Sequence, residues 1–471
     1  MRVKRRLAVA MAGAVAVVGG VASVGLPATS ARAATTTVAL PISTYSHMLL
    51  DPAHQHIFIS SAGSNTILVT NYSGQTVATI ANEPGAYGLA LSSDGSTVYA
   101  ALSTGDAISA ISTDTLAETA RYATGTGTDP TYVAYTSGKV WFGYGTYGQP
   151  FQNGIGSIDP STSPATVNLS ATNESLALWY AAPMLTASPN GELVAGETMV
   201  SGGITMVSFD TSSGGVATAL SYGSFSGSGV ESMQITPDGK DVVVASGAPY
   251  YHQIFQVSNL SAVGEYPTAP YPDSVSITGN GIVAAGIDSS SSEVFMFAPG
   301  AGSPLNTYTF GSYSSPEYLA DDGVAVTPDG RELFAITSTA PTPSSTKPPL
   351  APNPTLNIVT DPVQGPSTLT VTGPATDNKD QPITLTGTLG GPSPYVDGQT
   401  LHVTRIDPAN PNGVALPDVT TAADGSFTIT DTPPKANVDS GTVTYKVSYA
   451  GDAYLTASTA SASVTVHYNN S

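Results

Sequence analysis

Apolar positions along this chain fall into short, strand-length runs, and glycine punctuates the runs at regular distances. One apolar run ends at Leu91, meets Ser92-Ser93-Asp94-Gly95, and resumes as Val98-Tyr99-Ala100-Ala101. An Asp-Gly pair between two apolar runs predicts a β-hairpin, because Gly tolerates the positive φ that the turn demands. The pattern returns around Asn190-Gly191, Asp238-Gly239 and Asp329-Gly330. With weaker versions near Pro52, Gly138 and Gly279, seven turns follow one another at intervals of 40 to 53 residues. A third apolar run follows each of the first six hairpins, at 66–70, 107–111, 154–158, 203–209, 252–257 and 293–297, and a Thr/Val-rich fourth run comes after it. Four short strands per unit of this length make one blade of a β-propeller.

The chain therefore reads as all-β, with a seven-bladed β-propeller over residues 35–361. Residues 35–40 have the character of a fourth strand with no unit before them, whereas the last unit lacks a fourth strand. The N-terminal strand is expected to complete that unit, close the ring and remove an exposed edge. The third strand of the last unit is expected at 355–360. The Pro-rich stretch 339–354 before it is expected to be an extended, solvated loop, in the last blade or as a linker. From 363 the pattern changes to alternating strands at 367–372, 383–388, 400–405, 426–430, 443–449 and 460–466. That spacing predicts an Ig-like β-sandwich over 363–468, and the approach to Tyr445 resembles a tyrosine corner.

The hairpins Thr236-Pro237-Asp238-Gly239 and Thr327-Pro328-Asp329-Gly330 are followed by apolar strands such as Leu333-Phe334-Ala335-Ile336. They resemble the YVTN-type repeats of seven-bladed propellers, over roughly the whole of 35–360. Units three and six depart from the motif, with Thr136-Ser137-Gly138-Lys139 and Thr278-Gly279-Asn280-Gly281. Asp424-Gly425-Ser426-Phe427 and Gly451-Asp452-Ala453-Tyr454 resemble the bacterial Ig-like repeat domains of exported and surface proteins. These motifs are structural, so the resemblance implies folds and transfers no catalytic residue.

Composition sharpens this picture. Gly is 48 of 471 residues, Pro is 36, and only 10% are charged, which suits a turn-rich β protein. Arg2, Lys4, Arg5 and Arg6 precede an apolar stretch, 7–26, and Ala31-Arg32-Ala33 supplies small residues for cleavage. Residues 1–33 are thus expected to be a signal peptide, with an uncleaved anchor as the alternative, and the protein to be extracellular. Removal takes five of the 14 basic residues and none of the 34 acidic ones, leaving a formal charge of −25. Such a surface excludes nucleic acid and anionic membranes as partners. There is no Cys, which excludes disulfides, thiolate catalysis and Cys-zinc sites.

Candidate chemistry is sorted by the ring. The hairpins share one face, and the loops leading into each blade share the other with the loops between second and third strands. The second face is aromatic: Tyr45, Tyr87, Tyr132, Tyr144, Tyr147, Phe151, Trp179, Tyr180, Phe225, Tyr250, Tyr251, Tyr271, Tyr313 and Tyr318 fall there. Rigid amphipathic rings at a surface make contact sites, and the residues singled out as ligand contacts are Tyr144, Tyr147, Trp179, Tyr180, Tyr250 and Tyr251. Glu83, Asp106, Asp129, Glu174, Glu197, Glu231, Asp273, Asp288, Glu317, Asp321 and Asp322 share that face. None has ligand spacing, so no catalytic, cofactor or metal residue is assigned, with Ca²⁺ or another divalent ion over the channel as the open alternative. His54-Gln55-His56 reads as solvated turn, and His252 as a general base lacking an identifiable partner. The expected function is a monomeric, non-enzymatic protein that binds extracellular polysaccharide or protein. The alternative is a lactonase-like hydrolase or lyase.

Overall fold

The computed structural model describes residues 35–173, 179–213, 216–289, 291–343 and 348–468. The expected signal peptide and Glu174 lie outside the described residues. The chain divides into two compact units, one holding Ala31–Pro366 and Ala453–Leu455, the other Ser367–Asp452 and Thr456–Ser471.

The first unit contains seven four-stranded antiparallel sheets. The sheet that comes first in the sequence runs His47–Asp51, His56–Ser61, Thr66–Asn71 and Thr76–Ala81. Five more repeat that order, from the one beginning at Ala86–Leu91 to the one ending at Asn306–Thr309. In the seventh, Tyr318–Val326, Glu332–Ser338 and Thr355–Thr360 are joined by Thr35–Ala39, with Thr35 opposite Val359 and Ala39 opposite Thr355. The first strand of each sheet packs on the first strand of the next, and Tyr318–Val326 packs back on His47–Asp51. The unit is a β-propeller.

Local chemistry explains why the hairpins form where they do. Ser92 donates to the Asp94 carboxylate at 2.6 Å, Thr236 to Asp238 at 2.7 Å and Thr327 to Asp329 at 2.7 Å. The following Gly in each takes a φ near +70°, which a side chain would resist. Ser92, with the Ser96 amide and hydroxyl, holds the exposed Asp94 carboxyl down at about 2, so it is a fixed acceptor in the turn. The sixth hairpin, read as a departure, uses the same device: Thr278 donates to the Asn280 side-chain oxygen at 2.6 Å. An amide oxygen replaces a carboxylate oxygen at the same step.

Second and third strands are buried on both faces because neighbouring sheets cover them. Phe58, Ile67, Val98 and Ile111 form one inter-sheet core, and Trp141, Leu193, Val207 and Phe209 another. The 339–354 stretch meets the solvated-loop expectation in part: 339–341 and 343 are exposed, while 348–352 are partly or fully buried. It leaves Glu332–Ser338 and returns into Thr355–Thr360, and Ala351–Pro352 pairs with Thr44–Tyr45. Leu350 packs on a core cluster and Pro349 accepts a hydrogen bond from the Tyr87 hydroxyl at 3.0 Å. Apolar side chains and a paired backbone, rather than proline content, hold residues 349–352 in place.

The second unit has a three-stranded sheet, Thr368–Thr372, Ile383–Gly390 and Ser426–Asp431, and a six-stranded sheet built around Thr400–Asp407, Ser440–Tyr449 and Ser458–His467. Alternate residues are buried along each strand, as in Leu369 and Val371 or Val443, Tyr445 and Val447. Arg405 is buried with Asp407 at 2.7 Å and reaches Asp431 at 2.8 Å. The Tyr445 hydroxyl donates to Asp431 at 2.8 Å. A tyrosine corner bonds to backbone, so Tyr445 makes a different contact from the one its sequence position implied.

Candidate functional site

A cavity of 430 Å³ opens on the propeller face opposite the hairpins, at the mouth of the central channel. The starts of the inner strands build its walls. Tyr87 and Tyr132 stand on neighbouring inner strands, ring to edge at 5.5 Å, and Met184 follows on the next. Thr198, Met199, Val200 and Ser201 come from the loop after Glu192–Gly196, and Thr342, Pro343 and Pro349 from the stretch before Thr355–Thr360. Glu231, Asp288, Asp321 and Asp322 make the wall acidic, and Ser46, Tyr147, Ser228 and Val230 complete it.

Asp322 constricts the channel. Tyr318–Val326 bulges between Leu319 and Val324, and Asp322 takes a positive φ of 52° there. Its carboxylate accepts from Ser232 at 2.6 Å and meets His47 Nε2 at 3.2 Å, and its carbonyl accepts from the Tyr45 hydroxyl. Blades one, five and seven are thereby tied together at one point. A second cavity of 380 Å³ rises from the hairpin face and ends at the same residue, sharing Asp322, Tyr132 and Met184 with the first.

Glu231, Asp288 and the nearby Asp273 are perturbed. Burial, reinforced by Asp321, pushes the Asp288 carboxyl up to about 7. Burial followed by Asp321 and Asp288 raises Glu231 well above the carboxylate range. Asp273 lies in the bulge between Pro272 and Ser274 and is 1% exposed. Burial, then the charges of Asp288, Asp321 and Glu231, raise it too. Neither Asp273 oxygen has a hydrogen-bond partner, and Asp288 Oδ1 is buried in the same condition. Among the described residues no three His, Asp or Glu side chains are grouped to hold a metal ion.

These acids carry a signal in the sequence that pattern reading missed. Tyr87, Glu231, Asp273 and Asp322 each stand seven residues before a hairpin acceptor: Asp94, Asp238, Asn280 and Asp329. Seven residues is one inner strand plus its turn, so one repeat position supplies three residues of the channel mouth and, from a fourth blade, the buried Asp273.

The aromatic contacts separate into groups. Trp179 is a correction: it is 4% exposed and packs among Ala134, Trp141, Ile155 and Leu185. Asn153 donates to its carbonyl at 2.8 Å, which draws that loop onto the core. Tyr144 is half-buried, and its hydroxyl donates to Leu169 O at 2.9 Å. Tyr147 and Tyr180 stay open, 44% and 40% exposed, edge to face at 5.1 Å. The Gly148 amide donates to Tyr180 O at 2.8 Å, so backbone fixes the pair. Tyr250 forms a second open pair with Tyr271 at 5.7 Å, while Tyr251 is half-buried beside it. Of the six contacts, Tyr147 alone lines the cavity. His252 is also corrected: it is fully buried, donates from Nε2 to Ser274 O at 2.9 Å, and burial lowers its pKa to about 4, so it is a neutral core residue. His54 bridges Asp51 at 2.7 Å and Asp114 at 3.0 Å, and so is a tie between turns.

No family model matches the chain. No curated protein matches it either. Solved structures do, as folds. Hydrazine synthase from Kuenenia stuttgartiensis is 15% identical, with a TM-score of 0.47 over 63% of this chain and 94% of that one. The β-propeller domain of Myceliophteria thermophila Cps50 (Swd1) is 12% identical, with a TM-score of 0.49 over 69% and 99%. The Dos1 propeller is 13% identical, with a TM-score of 0.46 over 68% and 78%.

Proposed function

We propose that this chain is a secreted, non-enzymatic binding protein that takes an extracellular polysaccharide or protein at the channel mouth. In this reading it is a YVTN-type seven-bladed propeller, sealed by its N-terminal strand and followed by an Ig-like spacer. One observation carries the reading: Tyr147 belongs both to the exposed edge-to-face pair with Tyr180 and to the wall of the 430 Å³ cavity. A rigid aromatic rim over an enclosed polar volume is the anatomy of a contact site. The test is retention on insoluble cell-envelope polysaccharide. The Tyr147→Ala, Tyr180→Ala double variant is expected to lose retention while keeping its fold, because both rings are largely open. Parental retention in that variant would overturn the reading.

A hydrolase or lyase is the second reading, and Asp288 favours it. A carboxyl held at about 7 beside another raised carboxyl, Glu231, is a proton donor at neutral pH. Turnover of lactones or glycosides, abolished in Asp288→Asn, would support it. A purified chain inert on both would remove it.

A further inference from the structure

One position of the first strand lines the hairpin-face cavity in all seven sheets of the propeller. In the fourth, fifth and sixth sheets it holds Thr186, Gln234 and Ser276. In the seventh, first, second and third it holds Ala325, Leu49, Ala90 and Ala134. The difference matters because of the peptide group that each one meets. Thr236, Thr278 and Thr327 donate their N–H across the hairpins, and hydrogen bonding alternates along an antiparallel pair. The residue before each, Ile235, Ile277 or Val326, therefore turns its N–H and C=O away from its own sheet. A side chain of the preceding sheet caps each of these N–H groups. Ile277 donates to Gln234 Oε1 at 2.9 Å, Val326 to Ser276 Oγ at 3.0 Å, and Ile235 to Thr186 Oγ1 at 3.4 Å. In the other four sheets the equivalent residues are Leu50, Leu91, Tyr135 and Ala187. The preceding sheet offers them Ala325, Leu49, Ala90 and Ala134, side chains without an acceptor. All four line the cavity and are half-buried, whereas the three capped residues are buried. Part of the wall is thus open peptide edge beside small apolar side chains, and such backbone groups take water or a ligand. The cavity ends at the Asp322 carboxylate, which disfavours an anion, and its 380 Å³ admits only a small molecule. A neutral group that offers both a C=O and an N–H to a peptide edge is a secondary amide.

We propose that the hairpin-face cavity binds a small neutral ligand through a secondary amide, paired with the open peptide edges of Leu91, Tyr135 and Ala187. The site lies across Asp322 from the mouth that holds Tyr147, so this inference and the channel-mouth reading fail separately. The experiment is a ligand-observed NMR titration of the full chain with N-cyclohexylacetamide, and with cyclohexyl acetate, the ester that keeps the carbonyl and lacks the N–H. The amide is expected to bind about fivefold tighter than the ester, the size of one hydrogen bond. Ala90→Ser combined with Ala134→Ser should give Tyr135 and Ala187 the cap that Ser276 gives Val326. That double variant is expected to bind the amide about fivefold more weakly than the parent, with an undiminished melting temperature, because it adds hydrogen bonds and removes none. In the parent, the amide should move the backbone N–H resonances of Leu91, Tyr135 and Ala187, and leave those of Ile235, Ile277 and Val326 in place. Equal affinity for amide and ester, no binding of the amide, parental affinity in the double variant, or resonance shifts at the capped residues instead would each overturn the assignment.

Discussion

Replacing Asp288 by Asn should make the propeller more stable, and only above mildly acidic pH. Asp288 titrates at about 7 in the folded chain against an ordinary 3.8. A raised carboxyl means that the folded chain holds a proton which the unfolded chain has released. Stability therefore falls as pH rises from the unfolded pKa to about 7, and levels off above it. About three pKa steps at 1.36 kcal/mol each give about 4 kcal/mol. Part of that depends on the charge of Asp321, which relaxes with its surroundings, so about 2–4 kcal/mol is expected. Asn cannot ionise. The variant should match the parent at pH 4 and exceed it by that amount at pH 8. Urea is the denaturant of choice, because guanidinium chloride is a salt and would screen the charges under test. Tryptophan fluorescence reports the right unit, since the chain's two Trp, Trp141 and Trp179, share one core of the propeller. Parallel curves for parent and variant, or a variant less stable at pH 8, would refute the account of this cluster.

Two further substitutions test the packing. Trp179→Ala should destabilise the propeller by about 3–5 kcal/mol, the cost of emptying a large buried aromatic site, which urea unfolding followed by far-ultraviolet circular dichroism would measure. A change under about 1 kcal/mol would return Trp179 to the surface as first expected. Arg405→Ala should cost the second unit about 3–5 kcal/mol by leaving Asp407 buried without its cation, and calorimetry should show that unit's transition moving alone. Movement of both transitions would contradict the division into two units.

What was legible in the sequence was whatever local chemistry decides. Asp94-Gly95 and its repeats specify a turn within five residues, through a hydroxyl, a carboxylate and a positive φ. Thr278 and Asn280 escaped the motif because Gly279 stands where Pro237 and Pro328 stand in the other hairpins, although the Asn280 side-chain oxygen accepts the same bond. Depth in the loops was not legible. Trp179 and Tyr180 are neighbours in an irregular stretch, with no periodicity to tell inward from outward, and the decision is made by Asn153, 26 residues earlier.

The acids of the channel mouth fall between these cases. Glu231, Asp273, Asp288 and Asp321 are spread over 91 positions and none has a motif around it. Each alone looks like an ordinary loop acid in a chain of net charge −20. A hairpin read as a turn says nothing about them. A hairpin read as a ruler does, because the inner strand runs a fixed length from turn to channel. Counting back seven residues from Asp94, Asp238, Asn280 and Asp329 lands on Tyr87, Glu231, Asp273 and Asp322. Two of these line the mouth with Asp322, which closes it, and Asp273 is the buried acid coupled to that group. Chance placement of acids would scatter them over inner and outer strands alike. Glu231, Asp273 and Asp322 share one repeat position, whereas Asp288 and Asp321 stand outside it, so the ruler finds part of the cluster and the fold adds the rest.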